Sequence, residues 1–196
     1  MGSAEADLIQ RLKSEDKLKY FPQLADSTFE KTSDYDEDYN CFAWAMGWTH
    51  CRIDPGEPCV VGDFWPMGVT RGRTVRAFVE VFDAQGFSVC DSGEHELGFM
   101  KIALYAKGGS ATHAARLLED GRWTSKLGDW DDIAHPDLAT VGGANYGSVV
   151  RFLKKAIPSP EPSADSPPSE QTPTEPQGSG STLAPLPPSF RPSDPA

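Results

Sequence analysis

The sequence predicts an α+β domain, helices packed on an antiparallel sheet, and three features of the chain carry that expectation. Helical periodicity is confined to the first half, where Val75, Phe78, Val79 and Phe82 fall at i, i+3, i+4 and i+7. After Gly86 the apolar period shortens to two, giving strand candidates at 87–90, 101–106, 112–118, 122–127 and 146–153. Between the third and fourth of these stands Asp120-Gly121, the dipeptide of tight hairpins. Helices followed by a meander of strands point to an α+β architecture.

Residues 1–19 form an N-terminal extension with a short amphipathic helix over 4–18, built on Leu8, Ile9 and Leu12. An irregular stretch leads to the carboxylates Asp34, Asp36, Glu37 and Asp38, and then to Asn40-Cys41-Phe42-Ala43-Trp44-Ala45-Met46-Gly47. Acidic residues and Asn before an Ala-rich apolar run signal a helix N-terminus, and Gly47 a stop. That helix is apolar on most faces, so it is expected inside the domain. Residues 48–69 read as loop, with Asp54-Pro55-Gly56 and Trp65-Pro66, and 70–84 as the amphipathic helix. The domain so outlined covers 20–155. From Ala156 the chain is rich in Pro and Ser and acidic, with almost no periodic apolar residues. Such a tail buries too little apolar surface to offset its ordering entropy and is expected to be disordered. It is a candidate ligand for a Pro-recognising domain.

The net charge of −11 and the absence of any Lys/Arg cluster exclude the electrostatic footprint of a nucleic-acid binder and argue against an anionic membrane surface. No apolar run reaches membrane-spanning length, and the charged N-terminus does not read as a secretory signal. A cytoplasmic location follows as the expectation, with Cys41, Cys51, Cys59 and Cys90 reduced. No cofactor motif is present. Gly108-Gly109 and Gly142-Gly143 lack the strand–Gly–helix context of a phosphate loop. A zinc set drawn from His50, Cys51, Cys59, Cys90 and His95 has no Cys-x2-Cys pair. The series Asp34, Asp36, Asp38 fails as a calcium loop, with Tyr39 at its sixth position and Ala45 at its twelfth.

The chemistry concentrates on Cys41 and His113. Cys41 stands at a helix start, where a thiolate is favoured, and His113 opens a strand flanked by small residues. Helix-borne Cys followed by strand-borne His is the layout of papain-like hydrolases. A third, orienting residue is sought across the Asp120-Gly121 turn. With two turn residues, 119 pairs with 122, which puts Lys126 and Thr124 on the side of His113 and Ser125 opposite; a one-residue bulge reverses this. Ser125, Lys126, Asp132 and His135 are therefore all candidates, and the third member stays open. Asn40, Trp44 and Trp123 are candidates for lining the substrate site. The acidic run before Cys41 works against a thiolate. The competing reading makes Cys41 a packed apolar residue in a non-catalytic binding or immunity-type interaction module with a Trp-lined groove.

Several stretches resemble a family of uncharacterised bacterial domains: Tyr39-Asn40-Cys41-Phe42-Ala43-Trp44-Ala45, Trp65-Pro66 and Lys101-Ile102-Ala103-Leu104-Tyr105-Ala106. So do Thr112-His113-Ala114-Ala115-Arg116, the run from Asp120 to Gly128, Asp132-Ile133 with His135, and Tyr146-Gly147. The resemblance covers about 20–155. The Cys/His layout is more faintly similar to papain-like and NlpC-type cysteine hydrolases, which implies a papain-like arrangement and action on an amide or peptide bond. The chain departs from that pattern in having Asn40-Cys41-Phe42-Ala43 where Asp-Cys-Ser-Gly is common. It also has Tyr35 where papain-like enzymes keep an oxyanion Gln.

Overall fold

The computed structural model describes residues 17–56 and 62–158. Residues 17–20 are helical; the rest of the predicted N-terminal helix, and the Pro-rich segment beyond 158, lie outside the described residues. In chain order the strands are β1 (Glu30–Lys31), β2 (Arg52–Ile53), β3 (Asp63–Phe64), β4 (Ser88–Cys90), β5 (Phe99–Lys107), β6 (Ser110–Leu117), β7 (Trp123–Lys126), β8 (Asp132–His135) and β9 (Ser148–Ala156). The helices are α1 (Cys41–Ala45) and α2 (Val75–Ala84), with single 3-10 turns at Pro22–Ala25 and Leu138–Thr140. Seven strands form one antiparallel sheet in the order β1-β8-β7-β6-β5-β9-β4, and β2 and β3 pair separately in parallel. The domain is α+β, weighted towards sheet.

Local chemistry explains where the helices start. The Asn40 side chain accepts from the Ala43 amide at 3.2 Å and donates to the Ile53 carbonyl at 3.0 Å, so one residue both caps α1 and ties it to β2. Helix α2 begins at Val75, later than the predicted residue 70. The Thr74 hydroxyl accepts from the Ala77 amide at 3.2 Å and sets the cap there, while Thr74 itself bridges to Ser110 of β6. The periodic residues Phe78 and Phe82 are buried, as is Val81, and Val79 sits at the rim of the same core.

Two apolar layers sandwich the sheet. On one face α1 and α2 bring Phe42, Ala45 and Phe78 onto Ile102, Leu104 and Ala114, with Phe42 and Phe78 stacked at 3.9 Å. On the other, Phe21, Leu24 and Val141 cover Ala103, Tyr105, Ala115, Trp123 and Ile133. Each large side chain buried this way contributes about 1.5–3 kcal/mol.

The β6–β7 hairpin differs from its predicted form in a way that decides the site. The Leu118 amide donates to the Arg122 carbonyl at 2.8 Å, so the loop is Glu119-Asp120-Gly121, three residues and not two. Gly121 adopts φ 85°, the left-handed position that closes such loops. The pairing becomes Arg116 with Thr124 and Leu117 with Trp123, one residue off the two-residue register. A shift of one moves every side chain of β7 to the other face. Strand β8, unforeseen as a strand, pairs with β7 through Trp123–His135, Ser125–Ile133 and Lys126–Asp132. Strand β9 starts at Ser148 instead of Tyr146, because Gly143 and Gly147 close a turn before it; a Cβ on Gly147 would run into the Ala106 carbonyl oxygen. It then runs on to Ala156, which pairs with Phe99 and so belongs to the sheet.

Candidate functional site

Side chains alternate along β6, β7 and β8, and the observed register sorts the candidates onto two faces. With His113 paired to Tyr105, and Trp123 to His135, the residues His113, Ser125, His135 and Trp123 share the face of the second layer. Thr124, Lys126, Asp132 and Arg116 share the face that carries α1. Lys126 and Thr124 are therefore not beside His113, and Ser125 is; the extra loop residue is the cause.

His113 and its partners form a chain of short hydrogen bonds. The Ser125 Oγ lies 2.9 Å from His113 Nε2 and 2.9 Å from His135 Nε2. His135 Nδ1 lies 2.7 Å from the Asp137 carbonyl oxygen. A carbonyl only accepts, so His135 Nδ1 carries the proton and donates. Burial holds His135 below the usual histidine range, although the Asp137 carbonyl and carboxylate oppose it, so the ring is neutral and its Nε2 accepts. Ser125 donates its one proton there, and its oxygen must accept from His113 Nε2. His113 is thereby assigned as the Nε2–H tautomer, with Nδ1 a bare acceptor; Nδ1 is buried and has no hydrogen-bond partner. Burial, and then the neighbouring His135, keep the His113 imidazole well below its ordinary pKa. The ring is stacked flat on Tyr146, 4.0 Å away at 4°, and meets Tyr105 edge-on at 5.3 Å.

Cys41 approaches β6 from α1. Its thiol is pushed up to about 11 by burial, against the amide N–H groups of Ala114, Phe42 and Cys41 itself and the charge of Arg52. The Ala114 amide places the sulfur at the β6 backbone one residue from His113, and the Cys41 charge also acts on the Tyr146 hydroxyl. Cys41 thus belongs to the α1 layer and His113 to the opposite one, where Tyr146 stacks on the imidazole. The five-residue α1 supplies little dipole, and in the acidic run before it Asp34, Glu37 and Asp38 are exposed while Asp36 is half-buried.

The other candidates have different surroundings. Asp132 is fully buried; Tyr39 donates to its Oδ2 at 2.5 Å, and its Oδ1 has no hydrogen-bond partner. Burial raises its carboxyl, with Tyr39, Ser33 and Lys126 acting the other way. Lys126 donates to the Trp130 carbonyl and lies 4.8 Å over the Tyr39 ring. Tyr39 stacks on Trp44 at 5.7 Å, and the Arg116 guanidinium lies 5.2 Å over the Trp44 ring. Trp44 donates to Thr124 Oγ1 at 3.0 Å. These contacts among Lys126, Tyr39, Trp44 and Arg116, with the Tyr39–Asp132 hydrogen bond, fasten α1 and the residue before its cap to β6, β7 and β8. Trp123 lies on the opposite face, 6.5 Å from Phe152, so Trp44 and Trp123 do not line one groove. Asn40 is engaged in capping. Tyr35 is exposed and donates to Glu37 at 3.2 Å.

His135 carries more of this network than its sequence position suggested; the signal was Ile133 two residues before it, an apolar residue whose inward face a strand makes His135 share. Cys41, Cys51 and Cys90 are free thiols, and Cys59 lies outside the described residues. No group of three or more His, Cys, Asp or Glu able to hold a metal ion occurs among the described residues. Nor is any helix there long and apolar enough to cross a membrane.

Residues 30–154, which include every residue of this site, match the model of a domain of unknown function, DUF7689. The chain belongs to that family. The DUF7689 match begins at β1 and ends inside β9, so it reaches all seven strands of the main sheet. No curated protein and no solved structure matches the chain.

Proposed function

We propose that this DUF7689 domain is a cysteine hydrolase of papain-like arrangement acting on an amide or peptide bond, with Cys41 as nucleophile and His113 as base. One observation supports the reading: His113 has its Nε2 proton committed to Ser125 and keeps a bare, buried, unpartnered Nδ1, while the amide of Ala114, the next residue of β6, favours the Cys41 thiolate. A base needs a lone pair within reach of the proton it removes, and geometry precedes pKa in identifying one.

Burial raises the thiol and lowers the imidazole, so the resting pair is uncharged, Cys41–SH with neutral His113. Deprotonation is then coupled to attack. The thiol proton passes to His113 Nδ1 as the sulfur bonds to the substrate carbonyl carbon. The same proton goes to the departing amine nitrogen as the C–N bond breaks, and water hydrolyses the resulting thioester. Tyr146, stacked on the imidazole, closes the site over His113.

The test is alkylation of the folded protein by iodoacetamide, read at each cysteine by peptide mass spectrometry, for the native chain and His113→Gln. Cys41 labelling is expected to fall on the order of tenfold or more in the variant, the lower range of a lost general base. Cys51 and Cys90 serve as internal standards whose rates stay constant. Equal Cys41 rates in the two proteins overturn the reading.

A further inference from the structure

We infer that Ser125 and His135 are positioning residues for His113, a hydroxyl–imidazole relay ending on the Asp137 carbonyl that holds the base in its Nε2–H tautomer. The inference rests on the reading of His113 as base but is argued from a separate set of contacts. Three links are in place: His113 Nε2 to Ser125 Oγ at 2.9 Å, Ser125 Oγ to His135 Nε2 at 2.9 Å, and His135 Nδ1 to the Asp137 oxygen at 2.7 Å. All three side chains are fully buried, so water does not compete for their donors.

The direction of every proton follows from the last acceptor. A carbonyl has no proton to give, so each donor in the chain points towards Asp137, and the only lone pair left over is His113 Nδ1. Were the relay cut, the two tautomers of His113 would differ little in energy. Rings that carried the proton on Nδ1 would have no lone pair there to accept one. The role resembles that of the carboxylate in other nucleophile–His sites, which sets tautomer and orientation without itself being protonated. Here a neutral group performs it. A neutral relay suits a site where both reacting groups rest uncharged, since a buried carboxylate at this position would bring its own desolvation cost. The three-residue loop is part of the device, because only that register turns Ser125 towards His113.

The experiment compares the native chain with Ser125→Ala, His135→Leu and His135→Gln. Two readouts are taken: the imidazole nitrogen-15 shifts of His113, which report its tautomer, and the Cys41 alkylation rate. In the native chain the shifts should show Nε2 protonated in His113 and Nδ1 protonated in His135. Ser125→Ala and His135→Leu should mix the His113 tautomers and slow Cys41 labelling. Gln at 135 keeps an acceptor for Ser125 and a donor for Asp137, so it should largely restore both readouts, which a purely packing role would not predict. Native His113 found as the Nδ1–H tautomer overturns the relay even where a variant fails to fold. So does an unchanged tautomer in folded Ser125→Ala. A Cys41 rate that depends on His113 but not on Ser125 removes the relay and leaves the hydrolase reading standing. A rate independent of His113 removes the hydrolase reading and with it any role for the relay in positioning a base.

Discussion

On one face of β6, β7 and β8, His113, Ser125 and His135 are neutral groups joined by hydrogen bonds that all run one way. On the other face, Arg116, Lys126 and Asp132 are charge-bearing groups held by aromatic rings and by each other. The same three strands build both arrangements, residue by alternate residue. Thr124-Ser125-Lys126 divides between them, with Ser125 in the relay and its two neighbours in the stack beneath α1. Polar residues next to one another in a motif are thus not partners in one site. The neutral face holds the bare lone pair of His113 Nδ1, and the charged face fixes the helix that carries Cys41.

The largest difference should appear when one member is removed from each face. Asp132→Ala leaves Lys126 buried without its facing carboxylate and Tyr39 without an acceptor. Breaking a buried ionic group in this way costs about 3–5 kcal/mol. Ser125→Ala removes neutral hydrogen bonds and should cost about 1–3 kcal/mol. Urea unfolding followed by tryptophan fluorescence measures both. A cost for Asp132→Ala no larger than that for Ser125→Ala would show that charge does not hold the α1 face.

Acid sharpens the same contrast, and the two faces respond with opposite signs. His113 and His135 are both held below the ordinary histidine value, chiefly by burial. In the unfolded chain they take protons from about pH 6.5 downward, while in the fold they stay neutral to lower pH. The unfolded state then binds more protons, so their stabilisation is complete above about pH 6.5 and is lost as pH falls below it. Each contributes up to about 1.4 kcal/mol per pH unit in that window. Asp132 works the other way. Its carboxyl is raised, so the folded state takes up the proton first, and this opposes the histidines at the acid end. Urea midpoints at pH 7.5, 6.5 and 5.5 should be nearly level across the first interval and fall across the second. A flat series would mean that the imidazoles are solvated or already charged in the fold.

Much of this was legible in the chain. Asn40 as a cap, the four apolar positions of α2, and the period-two runs of β5 and β6 all carry local signals strong enough to survive tertiary packing. Cys41 and His113 emerged as the pair to examine because their element types could be read. The relay could not be. Two- and three-residue hairpin loops both favour Asp-Gly, and the difference between them decides whether Ser125 or Lys126 faces His113. Strand β8 escaped notice because Asp132 and His135 look like solvent-facing groups until β7 pairs with them. The two-residue strands β1, β2 and β3 are too short to have a period at all.

The smallest effect expected is in the loop that sets the register. Gly121 sits at φ 85°, and its would-be Cβ meets nothing within 4 Å, so the cost of a side chain there is conformational and not steric crowding. An Ala at that position should cost about 1–2 kcal/mol, the penalty of the left-handed region, and Asn clearly less because its side chain tolerates it. Either variant keeps three loop residues and should keep the His113 tautomer. Deleting Glu119 leaves the two-residue loop Asp120-Gly121 with 118 still opposite 122, so Ser125 should stay turned towards His113 and Lys126 towards α1. A chain so shortened keeps both layers and should unfold cooperatively, as Gly121→Ala does. If the deletion variant loses cooperative unfolding, the three-residue loop itself, and not the division of polar groups between the two faces, fixes the register of this sheet.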